Sequence, residues 1–134
     1  SRLKSVRLLA ERIANRDSKD PFVVMGDFNM EMDNTAMKYL RNVNLSNSFP
    51  QMIDAWLSIY PDENKMGTYH KFGGKKNCSK IDHIVLGKKA KTIDVKIDRH
   101  QNNGRFPSDH FPLTATIRIP SASYTVIDKE DKNI

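Results

Sequence analysis

Three short apolar runs in this chain each stand beside a carboxylate, and this pattern restricts the fold more than any other feature. Phe22-Val23-Val24-Met25 leads into Gly26-Asp27-Phe28-Asn29, Ile81-Asp82-His83-Ile84 opens a run that continues to Leu86, and Ser108-Asp109-His110 precedes Phe111-Pro112-Leu113. Side chains alternate along a strand, so a continuous apolar run suits a strand buried on both faces. Gly26 ends the first run and puts Asp27 and Asn29 on the loop past its C-terminal end. Ligand and catalytic groups collect at that edge in sheets covered by helices.

The segments around these runs have readable periods. Leu3, Val6, Leu9, Ala10, Ile13 and Ala14 recur at helical spacing, so residues 2–15 read as an amphipathic helix. Pro21 and the polar stretch before it end that helix. Asp33 or Asn34 caps a second helix through Thr35, Ala36, Met37 and Leu40 to about Asn42. Met52-Ile53-Asp54-Ala55-Trp56 is too short to distinguish strand from helix, and Trp56 reads as a core aromatic. Residues 61–67 and 73–77 read as a surface loop and a turn. Residues 81–86 form one strand; Ile93, Val95 and Ile97, then Leu113, Ala115, Ile117 and Ile119, alternate with polar residues in two half-buried ones. A helix–strand–helix opening followed by strands at hairpin spacing predicts an α/β layer with a mixed, mainly antiparallel sheet and covering helices. Residues 1–120 make the domain, and 121–134 a polar tail with weak alternation at Tyr124 and Val126.

A chain of 134 residues fits one domain with a moderate core. Its net charge of +6 is uneven: residues 1–67 hold nine Lys and Arg against nine Asp and Glu, whereas residues 68–134 hold thirteen against seven. The basic half contains Asp82 and Asp109, and such a face suits an anionic substrate such as a phosphate ester. Lys88, Lys89 and Lys91 fit a merely solvated surface equally well. The single cysteine, Cys78, excludes an internal disulfide and reads as a loop thiol. No segment has the length of a transmembrane span, and nothing in the chain specifies a compartment.

In order and spacing, the Gly-Asp-Phe-Asn, Ile-Asp-His-Ile and Ser-Asp-His segments resemble the endonuclease/exonuclease/phosphatase superfamily of DNase-I-like metal-dependent hydrolases. The resemblance runs from the first helix to the strand after His110. It implies half of a four-layer α/β sandwich, with one sheet and its covering helices. Asp27 would activate or position the nucleophile, and Asn29 would hold the phosphoryl group. Asp82 would orient a catalytic histidine, Asp109 would assist the metal, and His110 would stabilise developing negative charge or serve in acid–base chemistry. Asx turns after a strand also use Asp and Asn, so Asp27 and Asn29 alone would be weak signals. Three motifs in family order are much more specific.

One departure from the family pattern is His83, where an aromatic residue is usual. Strand alternation points it away from Asp82, which gives it a structural role. Residues 67–72, Gly-Thr-Tyr-His-Lys-Phe, resemble a stretch that precedes the Asp82 strand in bacterial members. As an edge strand it would place Thr68 and His70 on one face, where both could line the cleft and touch substrate. Lys71, Phe72, Lys75 and Lys76 offer weak support for a nucleic-acid substrate. His70, Cys78 and His83 lack the spacing of a zinc site.

Phosphoester hydrolysis needs an activated water, a cation on the transferring phosphoryl, and donors to its oxygens. Carboxylates suit Mg²⁺ or Mn²⁺. The family keeps an Asn and a metal-binding Glu in an N-terminal half that has no counterpart here. The resemblance therefore implies that this chain is the C-terminal half of such an enzyme and inactive by itself. One sheet face would remain for the other half, or a second copy, to cover. A non-catalytic binding or scaffolding module with the same fold and basic face is the alternative.

Overall fold

The computed structural model describes residues 1–41, 50–62 and 66–121. Helix α1, Arg2–Ala14, matches the helix expected from spacing and buries Val6 and Ala10. Strand β1, Val23–Asp27, follows, then α2, Thr35–Leu40. Asn34 supplies the expected cap, its side chain accepting from the Ala36 amide at 2.9 Å. The expected end of that helix near Asn42, and the alternation at Tyr124 and Val126, lie outside the described residues.

Residues 52–56 contain both structures that their pattern allowed. Met52–Asp54 is strand β2, and Ala55–Ile59 is helix α3. Asp54 makes the switch, because its carboxylate accepts from the Leu57 amide at 2.9 Å and caps the helix. Strands β3 (Asp82–Gly87), β4 (Lys91–Ile97) and β5 (Leu113–Arg118) complete the described elements.

The strands form two sheets, ordered β1-β3-β2 and β4-β5, with every registered pair antiparallel. Central β3 alternates its side chains between two cores. Val85 joins Val6, Ala10, Met37 and Leu40 beneath α1 and α2, while Ile84 and Leu86 join Trp56 and Val95 on the side of β4 and β5. The second face of the central sheet is thus partly covered by this chain's own β4–β5 pair. It remains open at β1, where Met25 is 70 % exposed. Met25 therefore departs from the double burial expected of its run, because β1 is an edge in the described sheet.

Alternation also fails once in β4. The register shifts between Thr92 and Asp94, so Ile93 is an extra, bulged residue and stands exposed, while Thr92 and Val95 turn inward.

Residues 67–70 are not a regular strand but a clamp with one bridged residue, Tyr69. The Thr68 and Tyr69 amides both donate to the Ser79 carbonyl, the His70 amide donates to the Asp109 carbonyl at 2.9 Å, and the Phe111 amide donates to the Thr68 carbonyl at 2.7 Å. The Thr68 hydroxyl accepts from the Ile81 and Asp82 amides at 3.1 and 3.2 Å. This residue is fully buried. Thr68→Val keeps the shape but leaves two amides unpaired, so we expect a stability loss of about 1–3 kcal/mol. Urea unfolding checks this, with Thr68→Ser close to the parent protein.

Candidate active site

Asp27 ends β1 and Asp82 begins β3, and the antiparallel register sets them directly opposite each other. Opposed residues project from the same face, so two like charges meet at one sheet edge. His110 arrives from the loop before β5, held by the Thr68–Phe111 and His70–Asp109 backbone bonds. Its amide also donates to the Ser108 hydroxyl at 3.1 Å. The motifs therefore converge, although His110 comes from the segment leading into the second sheet.

His110 Nδ1 and Asp82 Oδ2 are 2.7 Å apart. An ionised carboxylate only accepts, so Nδ1 carries the proton and Nε2 is the nitrogen left for other contacts. The same contact raises the His110 pKa above its ordinary value; partial burial opposes the rise, and the charges of Asp82, Asp27 and Asp109 add to it. Tyr69 packs its ring against the imidazole at 4.9 Å between centroids. We expect Asp82→Asn to lower the His110 titration midpoint, because the amide carries no charge to favour the imidazolium. An NMR titration of the ring protons reads this shift directly.

Asp27 is exposed, and its Oδ1 accepts from the Asn29 amide at 2.8 Å. Asn29 has φ of +53°, a left-handed conformation that Asn tolerates better than most residues. The turn chemistry open to this motif is thus present, and it leaves the second Asp27 oxygen unengaged by that bond. Asn29 is also exposed at this edge.

One ligand atom each from Asp27, Asp82 and His110 lie within 4.8 Å of one another. Two carboxylates and an imidazole fit a divalent cation that accepts mixed oxygen and nitrogen donors, Mn²⁺ more readily than Mg²⁺. Asp109, expected from the resemblance to assist the metal, lies outside this group, although its charge reaches His110. A groove of about 310 Å³ adjoins the pair, with Met25, Ile84, Pro112 and Leu113 among its walls.

Thr68 and His70 differ from expectation. Both are buried, at 0 % and 5 % exposure, and neither lines the groove beside Asp82 and His110. His70 stacks on Phe111 at 3.8 Å, and its Nδ1 accepts from the Gly74 amide. Their shared parity assumed a strand, whereas the segment is a clamp whose polar groups turn inward. Thr68 instead accepts from the Ile81, Asp82 and Phe111 amides, contacts that its side-chain type alone did not signal. His83 does occupy the face opposite Asp82 and is buried.

Comparison with known proteins agrees with this architecture. The Endonuclease/Exonuclease/phosphatase family pattern matches residues 5–110. No curated protein matches the chain. An endonuclease/exonuclease/phosphatase from Bacteroides vulgatus superimposes with a TM-score of 0.70 at 24 % identity, covering 89 % of this chain and 44 % of that one. A mannosyl-6-phosphatase from Bacteroides thetaiotaomicron gives 0.66 at 20 % identity, over 88 % and 46 %. A humanized D. rerio TDP2 gives 0.61 at 18 % identity, over 87 % and 48 %. These likenesses show a shared fold, and this chain spans less than half the length of each of those chains. Among the described residues, no helix is long and apolar enough to cross a membrane.

Proposed function

This chain belongs to the endonuclease/exonuclease/phosphatase family, and we propose that it supplies part of the active site of a metal-dependent phosphoester hydrolase. The observation that carries this reading is the Asp82–His110 hydrogen bond of 2.7 Å with Asp27 grouped beside it. A structural histidine needs no such company, whereas phosphoryl transfer requires a base, a cationic donor and a metal-compatible carboxylate in one place.

In this mechanism Asp27 accepts a proton from the attacking water, or aligns that water, through the oxygen not bound to the Asn29 amide. Asn29 donates its side-chain amide to a phosphoryl oxygen. Asp82 keeps His110 in the Nδ1–H tautomer and favours its protonated form, so Nε2–H can donate to an oxygen of the phosphoryl group as charge develops. Asp27 and Asp82, with His110 adjoining and Asp109 nearby, would hold a divalent ion. Such an ion would supply neutralisation of charge on the transferring phosphoryl group. The basic surplus of residues 68–134 favours the approach of an anionic ester.

The substrate class we propose is phosphate esters, small ones included, since a structural neighbour is a mannosyl-6-phosphatase. For the 134-residue chain alone we expect negligible turnover and weak Mg²⁺ binding. The two carboxylates leave most of an octahedral shell to water, and an incomplete constellation forfeits preorganised positioning. The test assays the full-length protein with generic phosphomonoesters and phosphodiesters under Mg²⁺ or Mn²⁺ titration, beside Asp27→Ala. Metal-dependent turnover that Asp27→Ala abolishes supports the hydrolase. Absence of turnover with either metal favours the non-catalytic module.

A further inference from the structure

Behind the site, on the opposite face of β3, two polar side chains join the segments that carry its two aspartates. His83 is 1 % exposed, and its Nε2 lies 2.7 Å from the Met30 carbonyl. A carbonyl only accepts, so Nε2 bears the proton and Nδ1 is an acceptor. Lys80 Nζ meets that Nδ1 at 3.1 Å and also donates to the Asp82 carbonyl at 3.1 Å. The Lys80 ammonium lies 5.8 Å from the centroid of the Trp56 ring, and the Asp54 carboxylate lies 4.0 Å from His83 Nδ1.

Met30 directly follows Asn29, whose left-handed backbone and bond to Asp27 define the turn beyond β1. A continuous chain of bonds thus runs from the Met30 carbonyl through His83 and Lys80 to the Asp82 backbone. The Phe28 amide, donating to the Ile81 carbonyl at 2.9 Å, ties the same two segments nearer the surface. A Phe or Leu at position 83 would fill the space equally well but would leave the Met30 carbonyl without its donor and Lys80 without its acceptor.

We propose that His83 and Lys80 are positioning residues, which hold the Asp27–Asn29 turn in register with Asp82 by bonding both segments from the rear of the sheet. The role rests on the phosphoester hydrolase reading of the site. Imidazole suits it because one ring offers a donor and an acceptor in opposite directions at fixed separation. Gln carries the same pair of functions on an amide, and Phe carries neither.

The test compares His83→Phe, His83→Gln and Lys80→Met in the full-length protein, the last keeping much of the apolar stem over Trp56. Steady-state hydrolysis is measured beside amide hydrogen exchange at Asn29 and at Val85 in the middle of β3. His83→Phe and Lys80→Met are expected to lower kcat about 10- to 100-fold, by analogy with residues that orient catalytic ligands, with KM little changed. Exchange at Asn29 should accelerate relative to Val85, which marks local loosening rather than global unfolding. His83→Gln should recover most of both. A folded His83→Phe or Lys80→Met with parental kcat and parental Asn29 exchange would overturn the proposal, as would a His83→Gln no better than His83→Phe. Should His83→Phe fail to fold, Lys80→Met decides the matter. Should the parent protein hydrolyse no phosphoester, the hydrolase reading falls, and the ratio of Asn29 to Val85 exchange still decides whether the turn is held from behind.

Discussion

His110→Ala in the full-length protein is expected to lower kcat on a phosphodiester by about 10³-fold, in the range seen when an enzyme loses a positioned acid or one donor to developing charge. In the proposed mechanism the imidazole next to Asp27 and Asp82 is the donor to the phosphoryl group, and nothing in the Ala variant can replace Nε2–H. The parental pH profile should carry the same signature. If the protonated imidazole is the working form, activity declines as pH rises through the raised His110 pKa. Asp82→Asn should move this decline to lower pH, because the carboxylate bond is the foremost cause of the raised pKa. Rates measured from pH 5 to 10 on a substrate whose own ionisation is constant test both points. An unchanged alkaline limb in Asp82→Asn would assign it to another group.

The second large effect concerns stability in acid. Burial, reinforced by the Lys80 charge, pushes the His83 pKa down from 6.5 to about 4. Above 6.5 this residue is neutral in both folded and unfolded chains. As pH falls below that value, the unfolded chain takes up a proton that the folded protein refuses until about pH 4. Stability is therefore fully present above pH 6.5 and lost as pH falls through about 4, by about 3 kcal/mol for a shift of this size. Urea unfolding at intervals between pH 7 and 4 should show the slope. His83→Gln, which does not titrate, should lose less stability across that window than the parent. Equal slopes would mean that other groups dominate.

Much of the local structure was legible because it depends on neighbours in sequence. Helical spacing from Leu3 to Ala14 predicts α1 nearly to its ends, and Asn34 caps α2 as its residue type allows. The ambiguity at residues 52–56 was physical, since a capped helix follows a strand without a break. At Ile93 a bulge moves the alternation out of phase, and the choice of where to bulge belongs to the pairing with β5.

The candidate site divides along the same line. Local pattern places Asp27, Asn29, Asp82, Asp109 and His110 beside apolar runs, because strand ends and their turns are written in nearest-neighbour chemistry, but it is the resemblance of the three motifs, in order, to the family that singles them out as site residues. Only the tertiary structure pairs Asp82 with His110, since that bond joins residues 28 positions apart on segments brought together by the Thr68 clamp. It also turns Thr68 and His70 inward, where a parity argument had them facing the cleft, and it joins Lys80 and His83 to Met30 behind the sheet. Periodicity tells which way a side chain leaves its own segment. What meets it there depends on the path of the whole chain.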